Sequence, residues 1–147
     1  MAETKIKIIV LCTGNSCRSQ MAEGIIRDRL GARVDICSAG TAPAAKVHPY
    51  AVKTLKDFGI NISNARTKDL EKFLQEKFDI VITTCDHAKE SCPVFPGAPR
   101  QLHWSMEDPA SVRGSIAEIK EVFLYTAEQI QRRVKDLAEN LDKYSGK

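Results

Sequence analysis

Cys12, Arg18 and Ser19 stand in one short segment with C-x5-R-S spacing, and together these residue types can do one kind of chemistry. A thiolate at Cys12 is a nucleophile. The planar, permanently charged fork of Arg18 grips two oxygens of an anion. The Ser19 hydroxyl donates a hydrogen bond to the thiolate, and again when it leaves. Between them, Thr13, Gly14, Asn15, Ser16 and Cys17 make a compact loop whose backbone N–H groups, aimed inward above a helix N-terminus, cradle a tetrahedral oxyanion. Gly14 and Asn15 suit such a loop because they tolerate left-handed backbone angles. A free thiol titrates near ~8.5, and a helix N-terminus with a neighbouring Arg brings it to ~3.5–7.5. Cys12 is therefore expected mostly as thiolate at neutral pH, set to attack the central atom of a bound phosphate-like ion in line. The loop is not a nucleotide-binding one, since G-x4-G-K followed by Ser or Thr is absent.

The flanking pattern supplies the elements that must position this loop. Ile6, Ile8, Ile9, Val10 and Leu11 form a short, nearly continuous run of β-formers, as in a strand buried on both faces of a parallel sheet. The run is far too short to cross a bilayer. From Met21 the spacing turns helical, through Ala22, Ile25, Ile26 and Leu30. Val34–Cys37 reads as a second strand with its turn at Ser38, Ala39 and Gly40, which completes a right-handed βαβ unit. His48, in the loop from Gly40 to Pro49, is read as a surface or capping residue, with a place facing the anion as the alternative. The pattern then predicts a helix over Tyr50–Phe58 ended by Gly59, a brief extended piece at Ile60 and Ile62, and a third helix over Thr67–Glu76 with Leu70, Phe73 and Leu74 on one face. A buried strand follows at Phe78–Thr83. A long C-terminal helix carries Ile116, Ile119, Phe123, Ile130, Val134, Leu137 and Leu141 at three-and-four spacing, and 142–147 is expected to fray. The fold class is thus α/β: an open parallel sheet of about four strands with helices on both faces. In such sheets ligands bind outside the carboxyl ends of the strands. Cys12 and Cys85 each follow a strand, so both fall on that edge.

At 147 residues the chain is expected to form one domain, 1–147, that buries ~70% of its unfolded surface and needs no staples. The net charge of +3 mildly favours small anionic substrates and argues for neither nucleic acid nor membrane. Five cysteines cannot all pair, and with no secretory signal they read as reduced or redox-active thiols of a cytoplasmic protein. Cys85 and Cys92 lie in a stretch rich in Gly and Pro (Pro93, Pro96, Gly97, Pro99), which predicts a mobile surface segment. A disulfide needs Cα atoms within about 7 Å, which a helical turn or two or a flexible loop permits. A zinc site from Cys85, His87, Cys92 and His103 lacks any C-x2-C spacing and ranks low.

CTGNSCRSQMAEG at 12–24 resembles the active-site loop of the low-molecular-weight tyrosine phosphatase superfamily, and most closely its thioredoxin-coupled arsenate reductase branch. SAGT at 38–41, TTCDHAKESCP at 83–93 and HWSMEDPA at 103–110 continue the resemblance in the family's order. The resemblance implies catalytic roles for Cys12, Arg18, Ser19, Cys85, Cys92 and Asp108. Cys12 attacks arsenate, Cys85 attacks the Cys12 sulfur and releases arsenite, and Cys92 takes over the disulfide near the surface, where thioredoxin reduces it. Glutaredoxin with glutathione is an alternative reductant. Asp108 is carried over as the acid that protonates the leaving oxygen, with Glu107 as local rival. Cys17 is expected to be a loop-packing thiol and Cys37 a core one. The branch also resembles a potassium site built around Asn15, Glu23, Ser38 and a later Asp near Asp69, where this sequence carries an extra residue. Ala110 and Ser111 follow Asp108-Pro109 where the tyrosine phosphatases place aromatic residues, which removes the wall of a phenol slot and favours a small anion such as arsenate, with phosphate or sulfate as analogues. A monomer is expected, with weak phosphatase side activity. Two alternatives share the loop: a tyrosine phosphatase acting through a cysteinyl-phosphate, and a non-enzymatic phosphate-binding or phosphocysteine carrier module, which gives no reason for Cys85 and Cys92.

Overall fold

Alternation along the first strand sets the architecture. In the computed structural model, which describes residues 5–144, β1 (Ile6–Cys12) sends Ile6, Ile8 and Val10 to one face and Ile9 and Leu11 to the other. A strand whose side chains are apolar on both sides needs a layer over each face. β2 (Val34–Gly40) and β3 (Ile80–Thr83) pair with β1 in parallel, and β4 (Arg100–His103) pairs with β3. The sheet is open, in the order β2-β1-β3-β4.

One face is covered by α1 (Arg18–Leu30), α2 (Pro49–Asp57) and α4 (Ile116–Glu139), which pack on one another. Met21, Ala22, Ile25 and Ile26 of α1 and Phe123, Ala127, Ile130, Val134 and Leu137 of α4 meet Ile8, Val10, Ile80 and Ile82 in the larger core cluster. The C-terminal helix starts where its sequence can stop the chain fraying: Ser115 accepts from the Glu118 N–H, and the Glu118 carboxylate accepts from the Ser115 N–H, a reciprocal capping box. The sole tryptophan, Trp104, is buried in the same cluster, with its backbone N–H on the Thr83 carbonyl. The other face is thinner. Leu70, Phe78, Ala88 and Phe95 close over Ile9, Leu11 and Val81, and α3 (Asp86–Glu90) contributes to it a single buried side chain, Ala88.

Several elements differ from their sequence expectation, each for a local reason. Ser38, Ala39 and Gly40 continue β2 instead of turning, because their partners Val10, Leu11 and Cys12 continue β1 beside them. Over Thr67–Glu76 there is only a 3-10 turn at Leu70–Phe73. The Gly40 N–H donates to the Lys68 carbonyl and Asp69 bridges to Gly40, so the start of that segment is held extended. Ile60 and Ile62 are buried against the helices rather than paired in the sheet. The fourth strand is Arg100–His103, whose short half-exposed run carries little apolar signal. The segment around Cys92 is anchored by Phe95, which is buried edge-on against Phe78. In α4, Ile116 lies exposed, and Leu141 falls in a 3-10 turn over Leu141–Tyr144, where Tyr144 meets the Arg100 guanidinium; residues 145–147 lie outside the described residues. Among the described residues no helix is long and apolar enough to cross a membrane.

Parallel pairing brings the end of β1 beside the end of β3, and Leu11 stands opposite Thr83. At the end of β2, Gly40 approaches the loop so closely that a Cβ there would press into the Thr13 carbonyl oxygen and crowd Asn15. Gly40→Ala should therefore cost about 1–3 kcal/mol of stability and weaken phosphate binding. Urea unfolding with and without phosphate checks both.

Candidate active site

The loop from Cys12 to Cys17 owes its shape to where its carbonyls go. The carbonyls of Cys12, Thr13, Gly14 and Ser16 accept N–H groups from Thr41, Ala42, Ala44 and His48 at 2.8–3.2 Å, and the Asn15 carbonyl accepts from the buried Gln20 Nε2 at 3.1 Å. In a planar trans peptide the N–H points opposite to the preceding C=O. The N–H groups of residues 13 to 17 therefore face the other side of the loop, the side of the Cys12 sulfur. Asn15 sits in the left-handed region at φ 50°, and its N–H reaches Cys12 Sγ at 3.0 Å. Gly14, expected to share that conformation, is not among the residues with positive φ. The Asn15 side chain suffices as the special residue because it is locked by four partners: Nδ2 donates to Ser19 Oγ and Ser38 Oγ, and Oδ1 accepts from Gln20 Nε2 and the Lys68 N–H.

Ser19 Oγ lies 2.9 Å from Cys12 Sγ. The Ser19 oxygen accepts from Asn15 Nδ2, and a thiolate at Cys12, having no proton of its own, takes two donors, the Ser19 hydroxyl and the Asn15 N–H. Helix α1 begins at Arg18, one turn before the apolar spacing shows it, so Arg18 and Ser19 project from a first helical turn instead of a flexible loop. The Arg18 side chain is nearly buried. Its Nη1 donates to the Met106 carbonyl at 2.9 Å, and its Nη2 lies 3.9 Å from Asp108 Oδ2. Cys12, Thr13, Gly14, Ser16, Cys17, Arg18 and Asp108 line a cavity of about 360 Å3. No aromatic side chain lines it, and Ala110 and Ser111 lie exposed in the turn after Asp108. The rival acid Glu107 faces a different cavity, toward α4, with Val122 and Tyr125. His48 does not line the anion cavity: its Nδ1 accepts the Tyr50 N–H at the start of α2, and burial against Phe123 lowers its pKa.

Cys85 caps α3, accepting from the Ala88 N–H at 3.4 Å, and its sulfur lies 3.4 Å from Thr13 Oγ1 on the rim of the loop. A second thiol is thereby held against the residue that follows Cys12. Cys92 lies half-buried beyond α3, and burial pushes its thiol above the ordinary range. Seven residues of largely helical chain, at ~1.5 Å each, put the Cα atoms of Cys85 and Cys92 roughly 10 Å apart, beyond the ~7 Å that a disulfide spans. Joining them requires α3 to unwind. His103 ties that helix down, with Nδ1 at 2.7 Å from Thr83 Oγ1 and Nε2 at 2.9 Å from Asp86 Oδ1, so both its ring nitrogens are engaged within the protein rather than free for a zinc ion. Cys17 and Cys37 are passive by comparison, pushed by burial to about 11 and about 12.

Asn15, Glu23 and Ser38 do come together, on the far side of the loop. Their arrangement does not fit a potassium ion. Asn15 Oδ1, Ser38 Oγ and Glu23 Oε1 already accept protein donors, and Glu23 is ion-paired with both Arg27, through Oε2, and Lys68. Asp69 turns away to cap the Leu70–Phe73 turn through the Glu71 N–H.

An oxyanion loop at the end of the first strand, an Arg in the first turn of the following helix, and an Asp-Pro across the cavity place the chain in a known class. It belongs to the low molecular weight phosphotyrosine protein phosphatase family, whose model matches residues 7–146. Within it the chain is 43% identical over 132 residues to an arsenate reductase of Halalkalibacterium halodurans, covering 90% of this chain and 94% of that protein. Among solved structures it resembles an arsenate reductase in the phosphate binding state, with TM-score 0.75, 29% identity, and 92% of this chain and 98% of that one covered. It also resembles the thioredoxin-dependent arsenate reductase of Corynebacterium glutamicum, with TM-score 0.73, 30% identity, and 97% and 64% covered.

Residues that pattern reading passed over are Gln20, Lys68 and the 41–48 segment. None of them carried a periodic signal: Gln20 precedes the apolar positions of its helix and shares a face with Glu23, Gly24 and Arg27. A thiol pushed to about 11 or 12 is less than about one part in 10⁴ thiolate at pH 7. Iodoacetamide at neutral pH should therefore leave Cys17 and Cys37 unmodified in the native protein, and label both after denaturation at high pH. Peptide mass spectrometry reads the difference.

Proposed function

We propose that the protein reduces arsenate to arsenite in the cytosol through a relay of Cys12, Cys85 and Cys92, with thioredoxin as the final reductant. The observation that carries this reading is the Cys85 sulfur held at Thr13 on the rim of the loop, a second thiol for which a phosphatase has no use. The arsenate reductase relatives favour the same substrate.

Arsenate enters the cavity with its oxygens on the loop N–H groups and the Arg18 fork. The Cys12 thiolate attacks arsenic, and Asp108 gives a proton to the departing oxygen, which leaves as water. Cys85 then attacks the Cys12 sulfur. The sulfur–arsenic bond breaks with its electron pair going to arsenic, so As(V) becomes As(III) while two thiolates become the Cys12–Cys85 disulfide. Unwinding of α3 lets Cys92 attack Cys85, which frees the Cys12 thiolate and moves the disulfide outward. A dithiol protein reduces it there, and Val94, 96% exposed two residues from Cys92, marks how open that segment is. Phosphate is nearly isosteric with arsenate, so the loop also supports slow ester cleavage through a cysteinyl-phosphate, a step that needs neither Cys85 nor Cys92.

The test is arsenate-dependent NADPH consumption with thioredoxin and thioredoxin reductase, run beside p-nitrophenyl phosphate cleavage. Cys12→Ser should abolish both. Cys92→Ser should keep ester cleavage and stop reduction after a single turnover; normal cycling of that variant would refute the three-thiol relay. Asp108→Asn should lower kcat by about 10²–10⁴-fold, the range of general acid catalysis, with little change in phosphate affinity. Brisk ester cleavage without arsenate-dependent consumption, by thioredoxin or by glutaredoxin with glutathione, would make the protein a phosphatase.

A further inference from the structure

Behind the loop, away from the cavity, lies a charged cluster that the relay leaves unused. Glu23 is a carboxylate only 7% exposed, and a carboxylate taken out of water must be compensated. Its Oε2 is ion-paired with Arg27 Nη2 at 2.9 Å, its Oε1 accepts from Ser38 Oγ at 2.8 Å, and Lys68 Nζ stands 3.7 Å from Oε1 while donating to the Arg66 carbonyl at 2.9 Å. Lys68 also grips the loop through its backbone. Its N–H donates to Asn15 Oδ1 at 2.8 Å, and its carbonyl accepts the Gly40 N–H at 2.9 Å. Asn15 is the left-handed residue whose N–H meets the Cys12 sulfur.

We propose that the Lys68 ammonium is the resident cation of this cluster, a positioning residue that holds Asn15 and the Cys12 loop in shape, and that the protein thereby dispenses with a bound potassium ion. One carboxylate faced by two cationic side chains leaves the cluster net positive, so a further cation gains no attraction there. The oxygens that would ligate it are already acceptors: Asn15 Oδ1 takes two N–H groups, Ser38 Oγ takes one, and both Glu23 oxygens are engaged. An ammonium tethered to the chain does the work of a dissolved ion without the entropy of capturing one. The inference rests on the loop geometry and not on the relay, so it stands or falls separately from the identity of the substrate.

The experiment compares thermal unfolding of the full chain, wild type and Lys68→Met, in potassium chloride and in choline chloride at equal ionic strength, with inorganic phosphate titrated calorimetrically in each. Wild type should melt at the same temperature and bind phosphate equally in both salts. Lys68→Met should melt lower and bind phosphate several-fold more weakly in choline chloride, and recover part of both losses in potassium chloride. Lys68→Arg, which keeps the charge, should behave as wild type. A potassium-specific rise in the wild-type melting temperature, or a Lys68→Met protein indistinguishable from wild type in choline chloride, would overturn the proposal.

Discussion

The outward turn of five consecutive carbonyls is the constraint on which the rest depends. A short loop can present its N–H groups to an anion only if its C=O groups find donors elsewhere, since a buried carbonyl without one is costly. Here the donors come from the strand end and loop at Thr41–His48 and from Gln20. That requirement explains why β2 runs on to Gly40, why Gly40 has no side chain, and why α2 begins with His48 facing inward to its own helix. The anion cavity is therefore a by-product of packing two neighbouring segments back to back.

The two faces of the sheet divide the labour. The face covered by α1, α2 and α4 carries the larger cluster and fixes the Arg18 and Ser19 side chains through the first turn of α1. The opposite face is held near the thiols by Ala88, Phe95 and the hydrogen bonds of His103. A segment with so few buried contacts opens at low free-energy cost. Packing is densest behind the Cys12 loop and thinnest beside Cys85 and Cys92.

Much of this was legible in the sequence. The strand, the C-x5-R spacing and the helix after it identify the loop, because a continuous apolar run and a change of period report burial directly. The long stripe from Phe123 to Leu137 reads equally well. What escaped reading depends on partners distant in sequence. Lys68 looks like a surface lysine until Asn15, Glu23 and Gly40 surround it, and the expected helix over Thr67–Glu76 gave way to an extended start for the same reason. Gly14 looks like the residue with special backbone angles, yet Asn15 adopts them, because its amide has four partners and glycine has none to offer. β4 stayed hidden because an edge strand of four residues with polar neighbours carries no periodic signal.

The placement of Trp104 gives the molecule an optical reporter of its own. It is the only indole in the chain, buried at the end of β4, with its backbone fastened to Thr83 and its second neighbour, Met106, supplying the carbonyl that holds Arg18. Any change in indole emission, excited at wavelengths where the three tyrosines do not absorb, on filling the cavity or on rearranging the segment beside β4 originates at that one position. Both events can thus be timed in solution without attaching a dye.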